Sequence, residues 1–141
     1  MKELPSALLI LGGSIFAVLG LLHALYTFTD IGKPRRIVPD DPAVIAAMAA
    51  SKVRLARGGT TMWKAWVGFN FSHSLGALIF AFACIMLGLL LQTHALPKSA
   101  LLLPVAIGII YFVLAVNYWF SIPTIGIAAA TLCFIVSWAL Y

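Results

Sequence analysis

Residues 99–141 read SALLLPVAIGIIYFVLAVNYWFSIPTIGIAAATLCFIVSWALY, and no Asp, Glu, Lys or Arg interrupts them. About 20 apolar residues suffice to cross the roughly 30 Å hydrocarbon core of a bilayer as a helix, so this stretch is too long for one span. Ser121-Ile122-Pro123 divides it. Proline fits the first turn of a new helix, where its missing N–H has no helical partner, and the residue ahead of it is pushed out of the helical region. The stretch therefore resolves into two spans, residues 100–120 and 123–141. Toward the N-terminus, charge-free runs over residues 65–91 and 4–29 add two more.

The whole chain agrees with this pattern. Its 141 residues are 63% hydrophobic and 9% charged, with a mean hydropathy of +1.08, whereas an ordinary soluble domain is about 25% charged. Open sheets leave backbone groups unsatisfied in lipid. The expected fold class is therefore all-α: an integral membrane four-helix up-down bundle forming a single transmembrane domain over residues 1–141. A cleaved signal peptide is a poor account of the first run, which is long, contains His23 and ends in Ala24-Leu25-Tyr26-Thr27-Phe28 without a small-residue cleavage site.

Nine Lys and Arg against four Asp and Glu give a net charge of +5, and seven of the nine lie between Lys33 and Lys64. In a membrane chain such clustering is a topology signal, not a nucleic-acid footprint. It places residues 30–64 in the cytoplasm and both termini outside. Within this connection Asp41-Pro42 is an N-cap and first-turn pair, helix formers continue to Arg57, and Gly58-Gly59 stops the run. A helix over residues 42–57 is expected, with Val44, Met48 and Leu55 on one side. It suits the inner leaflet; a lid over a cytoplasmic opening and a partner-docking helix are the alternatives.

Polar side chains inside the spans point to a site. Residues 69–76 read Phe-Asn-Phe-Ser-His-Ser-Leu-Gly within a run that carries no charge from Ala65 to Pro97, and a titratable group at such depth marks function by default. At 1.5 Å per residue, His73 lies roughly 13 Å inward from Lys64, Asn70 roughly 9 Å, and His23 roughly 10 Å from Asp30 at the same end. Asn117 and Thr124 lie at that end of the third and fourth spans. On the second helix Trp63, Trp66, Asn70, His73, Ala77, Ala81, Cys84 and Gly88 share one stripe, whose small residues allow close helix approach. Small residues also align at Gly13, Ala17, Gly20 and Ala24 on the first span and at Gly126, Ala130, Cys133 and Ser137 on the fourth.

Each polar residue also has a structural explanation. A histidine in a membrane helix is often a satisfied hydrogen-bonder; Trp63, Trp66, Tyr118 and Trp119 suit an interfacial aromatic belt; Ser72 and Ser74 suit bonds to their own helix carbonyls; His94 suits a solvated outer loop. Cys84 and Cys133, roughly 28 Å and 15 Å from the cytoplasmic ends, are too far apart in depth for a disulfide. There is no Cys-x-x-Cys, nucleotide loop, nucleophile elbow or metalloprotease helix, and no catalytic or metal-ligating set is assigned.

The polar layer of His23, Asn70, His73 and Asn117, with Trp66 and Tyr118 covering a ring, is expected to bind a hydrophobic or amphipathic small molecule, a lipid or a quinone, or a partner membrane subunit. Its rival is a redox enzyme subunit holding haem or quinone, with His23 and His73 as candidate axial haem ligands. A third expectation is an accessory subunit whose polar layer only fixes helix register. Antiport of a cation is disfavoured, since no span carries a deep carboxylate. The partners expected are membrane lipid and a homo-oligomer or a larger membrane complex, with no nucleic acid.

Trp63 to Gly76, Trp-x-x-Trp-x-Gly-Phe-Asn-x-Ser-His-Ser-x-Gly, resembles a family of small, uncharacterised bacterial four-span membrane proteins with a Gly-Phe-Asn-x-Ser-His-Ser-x-Gly signature in the second span. The resemblance covers one helix specifically and the four-span layout generally. It implies a bacterial inner-membrane setting and matches Asn70, Ser72, His73, Ser74 and Gly76, without implying an activity.

Overall fold

The computed structural model describes residues 2–55 and 57–141. The described chain is helical: α1 (Glu3–Gly32), α2 (Pro42–Ala50), α3 (Met62–Thr93), a 3-10 turn (Lys98–Leu101) leading into α4 (Leu102–Tyr118), and α5 (Ser121–Leu140). Four of these helices, α1, α3, α4 with its leading turn, and α5, are long and apolar enough to cross a membrane. Helices occupy the four stretches expected to be spans, each end within three residues of the expected bound. The break in the long C-terminal run falls slightly earlier than expected. Trp119 (φ −118°, ψ −179°) and Phe120 (φ −101°, ψ 172°) are extended, and α5 begins at Ser121. Pro123 then occupies the first turn, where no helical bond is lost.

The connection differs more. The expected helix over residues 42–57 stops at Ala50; Ala56 lies outside the described residues. Asp41 caps α2 as expected, its carboxylate accepting from the Ala43 N–H at 2.8 Å. At the other end Ser51 turns extended (φ −76°, ψ 132°). Lys52 then pairs with Thr61 in an isolated antiparallel bridge, with Val53 N–H donating to the Thr60 carbonyl and Met62 N–H to that of Ser51. Those cross-chain bonds take backbone groups that a longer helix would use internally. Arg57 (φ 47°) and Gly58 (φ 90°) reverse the chain in left-handed conformations, which cost glycine little.

Two compact units divide the molecule, Met1–Leu19 with Ala77–Tyr141, and Gly20–Gly76. In the first unit four helical segments surround one aromatic ring from each: Phe16 of α1, Phe80 of α3, Tyr111 of α4 and Phe134 of α5. Phe16 meets Phe80 edge-on at 4.9 Å between centroids and Tyr111 at 5.2 Å, and stacks on Phe134 at 6.1 Å. Edge-to-face and offset pairs are the favoured aromatic geometries. Gly12 makes this possible, since a Cβ there would collide with the Phe134 ring.

Hydroxyl bonds to backbone carbonyls fasten the ends of this unit. Ser6 Oγ donates to the Gly88 carbonyl at 2.7 Å, Ser137 Oγ to that of Pro5 at 2.8 Å, and the Tyr141 hydroxyl to that of Leu96 at 2.8 Å. The start of α1 therefore lies beside the ends of α3 and α5, the antiparallel order of an up-down bundle. Ala77, Ala81 and Cys84, on the small stripe of α3, are buried, while Ile79 and Phe82 on other sides are exposed. A helix that hides its small residues and shows its large apolar ones fits association in lipid, where close packing rather than the hydrophobic effect joins helices. Both cysteines are free thiols, as expected.

Candidate functional site

The polar residues of the second unit gather where the latter part of α1 faces the first part of α3. Counting along the helices, Asn70 lies roughly 12 Å from the start of α3 at Met62, and His23 roughly 14 Å from the end of α1 at Gly32. The two therefore meet at similar depth. Asn70, 4% exposed, is the buried member. Its Oδ1 and His23 Nε2 are 2.9 Å apart, while its Nδ2 donates to the Trp66 carbonyl one turn earlier at 2.8 Å.

That second bond fixes proton positions. A carbonyl accepts only, so the group facing Trp66 is the amide nitrogen and the group facing His23 is the amide oxygen. His23 must then carry a proton on Nε2. In a neutral His23 the lone pair is on Nδ1. A histidine ligates iron through a nitrogen lone pair, so haem ligation by His23 through Nε2 requires the Asn70 bond to break. Among the described residues no group of three or more His, Cys, Asp and Glu side chains is placed to hold a metal ion.

The His73 ring lies beside that of His23, 5.1 Å between centroids and inclined by 63°. Both rings are half-buried. Phe69, exposed and one turn before His73, lies nearly parallel to it at 6.4 Å. Phe69 was not among the expected site residues, although residues four apart share a helix face. Ser74 Oγ bonds the Asn70 carbonyl and Ser72 Oγ that of Phe69; both serines serve their own helix, as expected.

A second set of bonds lies nearer the connection. The Asp30 carboxylate, buried at the last turn of α1, accepts the backbone N–H groups of Arg35 at 3.1 Å, Arg36 at 3.2 Å and Ile37 at 2.7 Å. The basic connection thus engages Asp30 through its backbone. Arg36 turns back, its guanidinium 4.8 Å from the centroid of the Tyr26 ring and within 3.3 Å of Thr29 Oγ1. Trp66 Nε1 donates to the Ile37 carbonyl at 3.0 Å. Residues 33–37 form a strap held to α1 by a carboxylate and to α3 by an indole, and Trp66 links that strap to Asn70 through its own carbonyl.

Of the expected site residues, the structure brings His23, Asn70, His73 and Trp66 together in this unit. Asn117 and Tyr118 belong to the other unit. Asn117 is exposed with Nδ2 donating to the Val113 carbonyl at 2.7 Å, and Tyr118 is also exposed. His94 is exposed and its Nδ1 lies 2.7 Å from Thr93 Oγ1.

Four helices of this length and composition fit a multi-pass α-helical membrane protein. No protein-family model, curated protein or solved structure matches the chain.

Proposed function

We propose that the protein binds an amphipathic small molecule of the quinone or lipid class within the bilayer, its hydrogen-bonding head meeting the His73 imidazole beside His23. The observation that carries this reading is a pair of half-buried imidazoles from two spanning helices, 5.1 Å apart. A titratable group at membrane depth marks a functional site by default, and an imidazole can both donate to and accept from a ligand head. Asn70 acts as the positioning residue: it holds one His23 nitrogen as a donor and sets that ring against His73. Phe69, stacked on His73 and exposed, offers an apolar face to a ring or acyl chain. Residues 33–37, held by Asp30 and Trp66, lie next to this pair along α1 and α3. The setting that goes with this reading is a bacterial inner membrane with residues 30–64 cytoplasmic and both termini outside, supported by the basic connection and by the resemblance of the α3 motif.

Gentle purification, a visible absorption spectrum and mass spectrometry of an organic extract test it. Stoichiometric quinone or lipid retained by the wild type and by His94→Leu, but lost in His73→Leu, is the expected result. Equal retention in the two variants refutes it. A Soret band lost in both His23→Ala and His73→Ala replaces the small-molecule reading with haem. A colourless protein without a bound molecule returns the polar layer to helix packing or to an accessory subunit.

A further inference from the structure

We propose that α2 and the turn that follows it form an anchor on anionic lipid, with α2 lying among the headgroups, Leu55 inserted at the tip of the turn, and Lys52, Arg54 and Arg57 on lipid phosphates. The inference is independent of the ligand reading above.

α2 is apolar all round. Its nine residues, PAVIAAMAA, include no charged or hydrogen-bonding side chain, and none of them is buried. A helix that is hydrophobic on every side belongs inside a protein or in a membrane. At about 1.5 Å per residue α2 is roughly 14 Å long, under half the hydrocarbon thickness of roughly 30 Å, so it cannot cross. Ala43, Val44, Ala46, Ala47 and Ala50 are exposed while Ile45 and Met48 are half-buried, and the exposed side is no more polar than the covered one.

The segment after α2 supplies the charge. The Lys52–Thr61 bridge closes a turn whose tip holds Leu55, 93% exposed, between the exposed Arg54 and Arg57. An isolated leucine offered to water between two guanidinium groups has the amphipathic pattern of an interfacial anchor, with apolar groups entering the acyl boundary and cations remaining at phosphate level. Lys33 to Lys64 contains seven basic residues and two acidic ones, and Asp41 is engaged in capping α2. That excess of positive charge opposes a second copy of the same surface and favours an anionic one. The connection is also bounded at both ends by spanning helices, α1 ending at Gly32 and α3 beginning at Met62, so the bilayer surface is its immediate neighbour.

The test uses the full chain, reconstituted in vesicles of phosphatidylcholine alone or with phosphatidylglycerol. Ala46→Cys and Leu55→Cys are labelled separately with an environment-sensitive fluorophore, with the wild type as the blank for Cys84 and Cys133. Quenching by brominated acyl chains is compared with quenching by aqueous iodide. The expected result at both positions is efficient acyl quenching and protection from iodide, both increased by phosphatidylglycerol. Combined Lys52→Gln, Arg54→Gln and Arg57→Gln changes should weaken the phosphatidylglycerol effect by about fivefold per cation removed. Arg54→Lys with Arg57→Lys should preserve it, which separates charge from folding. Iodide quenching equal to that of a Gln92→Cys label in both lipids overturns the proposal. Protection that grows with protein density, without acyl quenching, assigns the surface to a second copy and overturns it equally.

Discussion

Replacing Asn70 by Leu tests the His23 pairing at its most exposed assumption. Leucine approximates asparagine in length, lacks both polar atoms and is the better helix former by a few tenths of a kcal/mol. Two hydrogen bonds disappear. The Trp66 carbonyl, which lost the Nδ2 donor, still lies within α3 and keeps its place in the helical ladder, so that loss costs little. The His23 Nε2–H loses an acceptor 2.9 Å away at a site where Asn70 is 4% exposed. Interhelical polar bonds in membranes contribute about 0.6–2 kcal/mol. Net of the helix-propensity gain, Asn70→Leu should destabilise the pairing of α1 with α3 by about 1 kcal/mol. Denaturant titration in mild detergent measures that quantity. Imidazole 15N shifts of protein labelled at histidine supply a readout that a merely structural role would not move. The wild type should show the His23 Nε2 proton bonded to Asn70, and Asn70→Leu should shift the Nε2 resonance as that bond is lost. Unchanged stability together with an unchanged Nε2 resonance refutes the assignment of Asn70 as the residue that holds His23.

Other consequences follow from single contacts. A Cβ at Gly13 would lie 2.9 Å from the Ala81 carbonyl oxygen and 3.1 Å from Cys84 Cβ, whereas one at Gly68 would meet nothing within 4 Å; Gly13→Ala should lower the thermal midpoint and Gly68→Ala should hold or raise it, since alanine gains up to ~1 kcal/mol over glycine in a helix. Asp30→Asn leaves one oxygen for three backbone donors and removes the charge they share, and bonds to a charged acceptor contribute about 1.5–3 kcal/mol; trypsin should cut faster after Arg35 or Arg36, and an unchanged cutting rate would count against the strap. Cysteine labelling checks the orientation: in sealed cells Ser51→Cys should need a membrane-permeant reagent and Thr93→Cys should not, and the reverse pattern places the histidine pair toward the outer face.

The spans were legible because charge is nearly incompatible with hydrocarbon, so the runs bounded by Glu3, Asp30, Lys64 and Lys98 mark themselves. The shared depth of His23, Asn70 and His73 was legible for a related reason: helical rise converts sequence position into depth, and few polar residues compete for one layer. Details that depend on the chain folding back were not. Asp30 is one carboxylate beside several cations in the sequence, and nothing local distinguishes an ion pair from three backbone N–H bonds to residues 35–37. The end of α2 was hidden for a similar reason. Lys52 to Arg57 are acceptable helix formers, and the termination arises from pairing with Thr60 and Thr61 across a turn. Nor did depth alone reveal that Asn117 would bond its own helix and remain exposed.

The contrast among the interhelical bonds bears on whether the histidine pair is more than packing. Ser6, Ser137 and Thr124 each reach a backbone carbonyl of another helix, an acceptor present whatever residue the sequence places there. A hydroxyl on a small side chain makes such a bond with little demand on its partner. His23 and Asn70 join α1 to α3 side chain to side chain, which requires both residues, at matched depth, in one rotamer each. If fixing helix register were the whole purpose, a serine would do it with less burial of polar atoms. The imidazole brings a second ring nitrogen and, with His73 beside it, a pair of groups able to donate or accept at the same point in the bilayer. Serine at position 23 is too short to stand where Nε2 meets Asn70, so His23→Ser should cost about the same 1 kcal/mol of helix pairing as Asn70→Leu while also losing the bound molecule. A larger loss of ligand in His23→Ser than in Asn70→Leu, at similar stability, would separate the two roles; equal loss in both would assign the effect to packing, and full retention in His23→Ser would remove His23 from the site.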